Sequence, residues 1–301
     1  MTSGALIFNP ASGRGDKTLR ARRLVEFFEE RGASVVLKPT RWPGDVAVLA
    51  RESLSEGAEF LAVLGGDGSI REAGEALQDS TFPLLILPAG TSNVLARSLN
   101  IPLDPLKAVR LFSEGRIAAL DGGTANGNPF FFMCGAGIDA EVMGALNLPS
   151  KKLFGRASFY PAVLKLLATY KFPDLDVHAD GERLSGGYAL VSNIPHYAGN
   201  YVLIPDADPF DGFLDCVVFE AKAWISFIRH YRRLCTGTLL NAPGVAHRRV
   251  RKVRIEGPSF TRYQLDGDAM GSVPVEIEVR PAALRVFLPL DPSSETIETF
   301  V

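Results

Sequence analysis

The feature that most constrains this chain is the alternation in its first 120 residues. Short apolar runs end in glycine-bearing turns, and each turn opens a segment with helical spacing. Residues 5–8 run into Asn9-Pro10-Ala11-Ser12-Gly13-Arg14-Gly15. Residues 60–64 run into Gly65-Gly66-Asp67-Gly68-Ser69, and residues 84–87 into Pro88-Ala89-Gly90-Thr91. The helix expected over 17–31 has Leu24, Val25, Phe27 and Phe28 on its apolar face, with Gly32 as its stop. Ser69-Ile70-Arg71-Glu72 has the spacing of a capping box and starts a helix running to 77. A third helix is expected over 92–99, and a further strand (34–38) and helix (44–56) lie between the first two turns. Buried runs alternating with helices predict βαβ units with right-handed crossovers, and hence a parallel sheet.

After Asp121-Gly122-Gly123 the texture changes. Runs at 130–133, 175–179, 188–192, 213–219, 250–256, 275–280 and 284–290 are short, β-rich and separated by Gly, Pro and Asp. They predict a mostly antiparallel, sandwich-like β domain, with helical interludes at 155–170 and 224–240. The expected organisation is an α/β domain over 1–120, a β-rich domain over 121–290 and a tail over 291–301. With 32 basic against 34 acidic residues, a formal charge of −2, the chain has no global field for nucleic acid. Cys134, Cys216 and Cys235 are too few and too scattered for a disulfide framework or a zinc site. The N-terminus Met1-Thr2-Ser3-Gly4 carries no basic leader, and no apolar run reaches the roughly 18 residues of a membrane span. A cytoplasmic location is expected, with peripheral contact to a membrane left open.

In an open parallel sheet, ligands bind beyond the carboxyl ends of the strands, and all three turns fall there. Glycines let a ligand approach the backbone, and helix N-termini aim N–H groups and partial positive charge at it, a combination that favours phosphate. An aspartate among three glycines, Asp67, puts a carboxylate where it could hold Mg²⁺ or accept a proton. Capping is the competing reading for Asp67, Ser69 and Thr91. Two look-alikes are set aside. Gly15-Asp16-Lys17-Thr18 lacks the earlier glycine of a P-loop. Gly135-Ala136-Gly137-Ile138-Asp139-Ala140 fits a loose dinucleotide pattern but lies in the β-rich half without the acidic residue that should follow.

Taken in order, Asn9-Pro10-x-Ser12-Gly13, Gly65-Gly66-Asp67-Gly68-Ser69 and Pro88-x-Gly90-Thr91-x-Asn93-x-x-Ala96 resemble the three motifs of the diacylglycerol kinase catalytic domain. Asp211-Gly212-Phe213-Leu214-Asp215 and Leu265-Asp266-Gly267-Asp268 resemble two later motifs of the same family, so the likeness spans about residues 5–290. The resemblance implies an active site in the cleft between an α/β nucleotide domain and a β-sandwich-like domain. It also implies transfer of the ATP γ-phosphoryl group to a lipid hydroxyl. Asn9, Thr40, Gly66, Asp67, Gly68, Ser69, Ile70, Arg71, Glu72 and Thr91 take nucleotide-contact positions, with Asp67 organising Mg²⁺ and Asp121 a second acidic position near the site. A structural Mg²⁺ falls to Asp211 with the carbonyls of Asp208 and Phe213, an all-oxygen set suited to a hard cation. A plain β-turn is the competing reading of those residues.

This chain departs from the pattern at three points. Ser69 replaces the usual Thr, Val94 replaces a frequent Asp, and Asp268 stands where the family's general base is Glu. One methylene is a shift near 1 Å, which can cost about a hundredfold in rate. Asp266 is a second candidate base, and a hairpin turn the competing reading of both. The expected partners are a lipid substrate, a transient membrane surface and, undecided, a second copy of the chain in a homodimer. The surface candidates are the apolar and basic helix within 153–172 and the basic strand His247-Arg248-Arg249-Val250-Arg251-Lys252-Val253-Arg254, which also reads as a solvated sheet edge. Two alternatives remain: a small-molecule (NAD or other alcohol) kinase of the same superfamily, and a catalytically weak nucleotide- or lipid-binding regulator.

Overall fold

The computed structural model describes residues 2–10, 17–78, 80–146, 166 and 168–290. Strand β1 (Thr2–Phe8) pairs in parallel with β2 (Ala33–Pro39) on one side and β3 (Phe60–Gly65) on the other, and β3 pairs in parallel with β4 (Leu84–Pro88). Every residue of β3 and β4 is buried, as expected of a parallel sheet covered on both faces. The outer strand β2 alternates instead, leaving Ser34, Val36 and Pro39 exposed.

Helices α1 (Lys17–Glu29), α2 (Asp45–Ser55) and α3 (Asp67–Leu77) make the crossovers. Each buries one stripe: Ala21, Leu24 and Phe28 in α1; Val46, Leu49 and Ala50 in α2; Ile70, Ala73 and Leu77 in α3. Three short helices follow: α4 (Val94–Ser98), α5 (Pro105–Ala108) and α6 (Leu111–Glu114). An aromatic cluster closes this core, with Phe60 centred 5.4 Å from Phe28 and 4.7 Å from Phe112.

The chain divides into two compact units, residues 1–120 with 198–200 and 282–301, and residues 121–197 with 201–281. The second unit begins within β5 (Arg116–Ala125), followed by β6 (Asn128–Phe130), β7 (Met133–Ala136) and α7 (Ile138–Leu146). Then come β8 (Leu175–Ala179), β9 (Glu182–Gly186), β10 (Tyr188–Ser192), β11 (His196–Tyr197), β12 (Tyr201–Val202) and β13 (Leu214–Phe219). Helix α8 (Trp224–Cys235) precedes β14 (Val245–Val250), β15 (Lys252–Glu256), β16 (Arg262–Leu265), β17 (Asp268–Ser272) and β18 (Val275–Leu288).

One antiparallel sheet runs β14-β13-β10-β7-β16-β17. A second antiparallel layer is built from the first part of β18 with β15, β8 and β9. Cys134, Val191, Cys216 and Val218 from the first sheet share a buried core with Val177, Val253, Ile255 and Ile277 from the second layer. Alternate residues of β10 and β13 point the other way. Tyr188, Leu190, Val217 and Phe219 join Leu234 and Phe227 of α8 in a second cluster. The period-two geometry of a strand thus buries both faces of this sheet, which is why these runs look continuously apolar in the sequence.

Several boundaries shift from the sequence reading. The helix expected over 92–99 is α4 and starts at Val94, after Asn93 in a left-handed conformation at φ 48°. Helix α8 ends at Cys235 rather than 240, because Gly237 turns the chain at φ 66°. Residues 282–288, read with the second domain, belong to the first unit: Val286 pairs in parallel with Leu84, and Leu284, Val286 and Leu288 are buried. The tail over 291–301 and most of the expected 155–170 helix lie outside the described residues. No helix among the described residues is long and apolar enough to cross a membrane.

Candidate active site

The strand register of the first unit lines up its turns. Phe8 is level with Pro39 and with Leu64, and Gly65 is level with Pro88, so Asn9, Thr40, Gly66 and Ala89 follow along one carboxyl edge. Thr40 is tied there by its N–H to the Phe8 carbonyl at 2.9 Å. The loop after it is fixed by buried Asp45, whose Oδ2 accepts the Arg41 N–H at 2.8 Å and its Nε–H at 3.1 Å. That guanidinium holds the Asp45 carboxyl below the usual carboxylate range. Glu72, one turn into α3, accepts the Gly44 N–H at 3.2 Å.

Two glycines meet at the middle of this edge. A Cβ on Gly90 would lie 2.5 Å from Gly66 Cα and 2.8 Å from Asn93 Oδ1, and one on Gly66 would lie 3.1 Å from Gly90 Cα. Only glycine lets these backbones touch. Gly68, by contrast, has open space where its Cβ would be, so the first turn of α3 can be approached from outside. Gly66 supplies no side-chain cap to α3, which leaves its leading amides for a ligand.

Asp67 does cap a helix, but the next one. Its Oδ1 accepts the Leu95 N–H of α4 at 3.4 Å, joining the turn after β3 to the turn after β4. Burial nevertheless pushes its carboxyl above the usual range, against the pull of those backbone amides. Asn93 closes the second turn, accepting the Gly90 N–H at 2.9 Å. Ser69 is partly buried and Thr91 exposed at this edge, while Ile70 points into the core. Arg71 lies within 3.6 Å of Glu75 on the same helix.

Lys17 is the residue sequence reading passed over. It is 5% exposed, and its Nζ donates to the Ala89 carbonyl at 3.3 Å, placing a cation against the Gly90 turn. Burial and nearby Arg20 pull its ammonium below the usual lysine range. The signal was present in Gly15-Asp16-Lys17-Thr18, which was set aside for lacking the full P-loop spacing. Ser12 to Gly15 lie outside the described residues.

In the second unit, Asp266 and Gly267 form the two-residue hairpin between β16 and β17, at φ 52° and 94°. Such turns need two positive φ values, which Asp-Gly supplies. The Asp266 carboxylate accepts three backbone N–H groups: Oδ2 accepts Phe131 N–H and Oδ1 accepts Phe132 and Met133 N–H, each at 2.9 Å. Those three bonds make Asp266 the anchor of the turn. Asp268 follows as the first residue of β17, half-buried.

Behind the turn runs a buried relay. Gln264 Oε1 accepts the Gly267 N–H at 2.7 Å, and its Nε2 donates to Asp139 Oδ2 at 2.9 Å. Asp139 Oδ1 in turn accepts the Tyr197 hydroxyl at 2.5 Å. Burial raises the Asp139 carboxyl in spite of both donors. This explains the Gly135-Ala136-Gly137 look-alike: a Cβ on Gly135 would sit 1.9 Å from Asp139 Oδ2. The glycine makes room for a carboxylate, not a dinucleotide.

Asp208, Asp211 and Phe213 do come together, in the turn before β13. Asp208 Oδ1 accepts Phe210 N–H at 3.1 Å, and Asp211 Oδ1 accepts Phe213 N–H at 2.9 Å. Asp121 is part of this turn: its Oδ2 accepts Gly212 N–H at 2.7 Å and its N–H donates to the Pro209 carbonyl at 2.8 Å. Burial raises the Asp211 carboxyl, and the charges of Asp208 and Asp215 add to the effect, opposed by the Phe213 N–H and by Arg249. Arg249 reaches Asp211 Oδ2 at 2.5 Å and, with Arg251, lies over the Phe213 ring. These are the hydrogen bonds of a turn, and Arg249 takes up the central carboxylate.

Residues 3–125 match the model of the diacylglycerol kinase catalytic domain, and residues 133–288 that of the YegS C-terminal NAD kinase beta sandwich-like domain. The chain is 26% identical over 300 residues to the diacylglycerol kinase of Bacillus subtilis, covering 98% of this chain and 99% of that one. To the Pseudomonas aeruginosa protein named "Probable lipid kinase YegS-like" it is 30% identical over 288 residues, covering 91% of each. A solved diacylglycerol kinase structure from Bacillus anthracis superimposes with a TM-score of 0.76 at 21% identity, over 96% of this chain and 97% of that one. A parallel nucleotide-type sheet followed by this sandwich defines the class, a kinase of two-domain build. The chain belongs to the diacylglycerol kinase family, in the group that carries the YegS-type sandwich.

Proposed function

We propose that the chain is an ATP- and Mg²⁺-dependent lipid kinase that phosphorylates the hydroxyl of a diacylglycerol-like lipid. The observation carrying this reading is the contact of Gly66 with Gly90 at the carboxyl edge of the parallel sheet, a cradle any Cβ would fill, with Asp67 and Lys17 beside it. The leading amides of α3 and the Thr91 hydroxyl hold the phosphate oxygens, and the Lys17 ammonium supports the Gly90 turn through Ala89. Asp67 would hold Mg²⁺, which when bound would supply charge neutralisation for the γ-phosphoryl group. Asp268 takes the proton of the acceptor hydroxyl as its oxygen bonds to the γ-phosphorus, and the bond to the bridging oxygen breaks to release ADP. The Asp208–Asp211 turn fits a structural Mg²⁺, because a cation relieves the negative charge collected there. Such a protein works in the cytoplasm and meets its substrate at a membrane surface.

The test mixes purified protein, radiolabelled ATP and Mg²⁺ with a bacterial lipid extract in detergent. A labelled lipid is expected. It should be lost in Asp67→Ala and reduced about 10²- to 10⁴-fold in Asp268→Ala, the range for a general base. Near wild-type turnover in either variant removes that residue's role. ATP binding without a labelled lipid points to a soluble acceptor or a regulator and overturns the lipid reading.

A further inference from the structure

The basic strand flagged in the sequence is neutralised within its own unit. Arg248 pairs with Glu182 at 2.6 Å, Arg249 with Asp211 at 2.5 Å, Lys252 with Glu278 at 2.6 Å, and Arg254 with Glu256 at 2.7 Å. It divides into the edge strand β14 and the interior strand β15, and its paired charges offer little to a membrane. Helix α8 is different. From Ala221 to Ile255 the chain has nine Lys and Arg and no Asp or Glu. Among the described residues, none of its helix-side members, Lys222, Arg229, Arg232 and Arg233, pairs with a carboxylate.

The same helix exposes large apolar groups. Phe227, His230 and Leu234 turn inward toward Tyr188 and Phe219. Trp224, Tyr231 and Cys235, at i, i+7 and i+11, lie on a stripe beside the buried one, and Ile225, Arg229 and Arg232 lie on the face opposite it. Trp224 is 47% exposed, Tyr231 46%, and neighbouring Ile225 54%. The Tyr231 hydroxyl is anchored to that of Tyr201 at 2.7 Å, so its ring is held in place. An exposed surface of Trp, Ile and Tyr beside arginines that pair with no carboxylate among the described residues, with no acidic residue on the helix, has the chemistry of an interfacial helix on an anionic bilayer.

We propose that α8 is the membrane-docking surface of this protein, laying Trp224, Ile225 and Tyr231 at the headgroup boundary while Arg229 and Arg232 meet anionic phospholipid. Its purpose rests on the lipid-kinase reading, but its test needs no ATP, so the two can fail separately. The chain has two tryptophans, Trp42 and Trp224. In a Trp42→Phe variant of the full chain, Trp224 emission should shift to the blue on adding phosphatidylcholine–phosphatidylglycerol vesicles, but not pure phosphatidylcholine, and the shift should weaken with salt. In co-sedimentation with the same vesicles, Arg229→Gln with Arg232→Gln should weaken binding about 25-fold. Trp224→Ser with Ile225→Ser should weaken it at least about tenfold. These side chains are exposed, and unchanged circular dichroism melts would confirm that the variants fold. An unshifted Trp224, a wild type that stays in the supernatant, or variants that sediment like the wild type would each overturn the proposal.

Discussion

Replacing Asp266 with asparagine should unseat the hairpin that carries Asp268 while leaving every heavy-atom position filled. Asparagine tolerates the left-handed backbone at φ 52°, so the change falls on three hydrogen bonds. The carbonyl oxygen can keep Phe132 and Met133, now as neutral acceptor rather than carboxylate. The amide nitrogen must then face the Phe131 N–H, donor against donor. Neutralising two charge-assisted bonds costs about 1 kcal/mol each, and orphaning a largely buried N–H about 1–3 kcal/mol. Because the turn is half-buried, water recovers part of this, and about 3 kcal/mol is expected. That corresponds to a fall in melting temperature of about 5–10 °C. Calorimetry should rank wild type above Asp266→Asn and Asp266→Asn above Asp266→Ala, which loses all three bonds and strains at positive φ. If Asp266→Asn melts with the wild type while phosphoryl transfer collapses, the anchoring argument is wrong and Asp266 returns as the base.

Gly90→Ala should cost about tenfold or more in ATP affinity, read by isothermal calorimetry, because its Cβ would meet the Gly66 backbone at 2.5 Å; Gly68→Ala, in open space, should fold as the wild type. The raised Asp139 carboxyl binds its proton more tightly in the folded state than in the unfolded chain. Its contribution to stability therefore falls as pH rises from about 4 through the folded value. Denaturation of wild type and Asp139→Asn at several pH values should favour the wild type most at the acidic end; a constant difference would refute this. Cys235 is exposed, whereas Cys134 and Cys216 are buried, the Cys216 thiol pushed up to about 12 by burial. A thiol reagent should titrate one cysteine in the native protein and three after denaturation.

The first unit was legible because its physics is local. A strand, a glycine turn and a helix announce themselves within about a dozen residues, and the register of Phe8, Pro39 and Leu64 then sets Asn9, Thr40 and Gly66 in one row. Lys17 escaped because its partner, the Ala89 carbonyl, lies 72 positions away. The relay of Asp139, Gln264 and Tyr197 escaped for the same reason, since its links join residues 58 and 125 positions apart. The return of 282–288 to the first unit could not be read either: a buried strand looks alike whichever sheet receives it. The docking helix was visible only as a helix. Which of its aromatic residues face outward depends on how Phe227 and Leu234 pack.

The placement of the final strand bears on how a ribosome can deliver this protein. By the time residue 120 has emerged, β1 to β4 are complete, yet the far edge of β4 still awaits Val286. An open edge of buried-type strand invites pairing with other chains. Newly made N-terminal units must therefore wait, exposed, through the synthesis of some 160 further residues, roughly 8–30 seconds at typical elongation rates. Chaperone dependence during translation, rather than fragility once folded, is the burden this topology imposes.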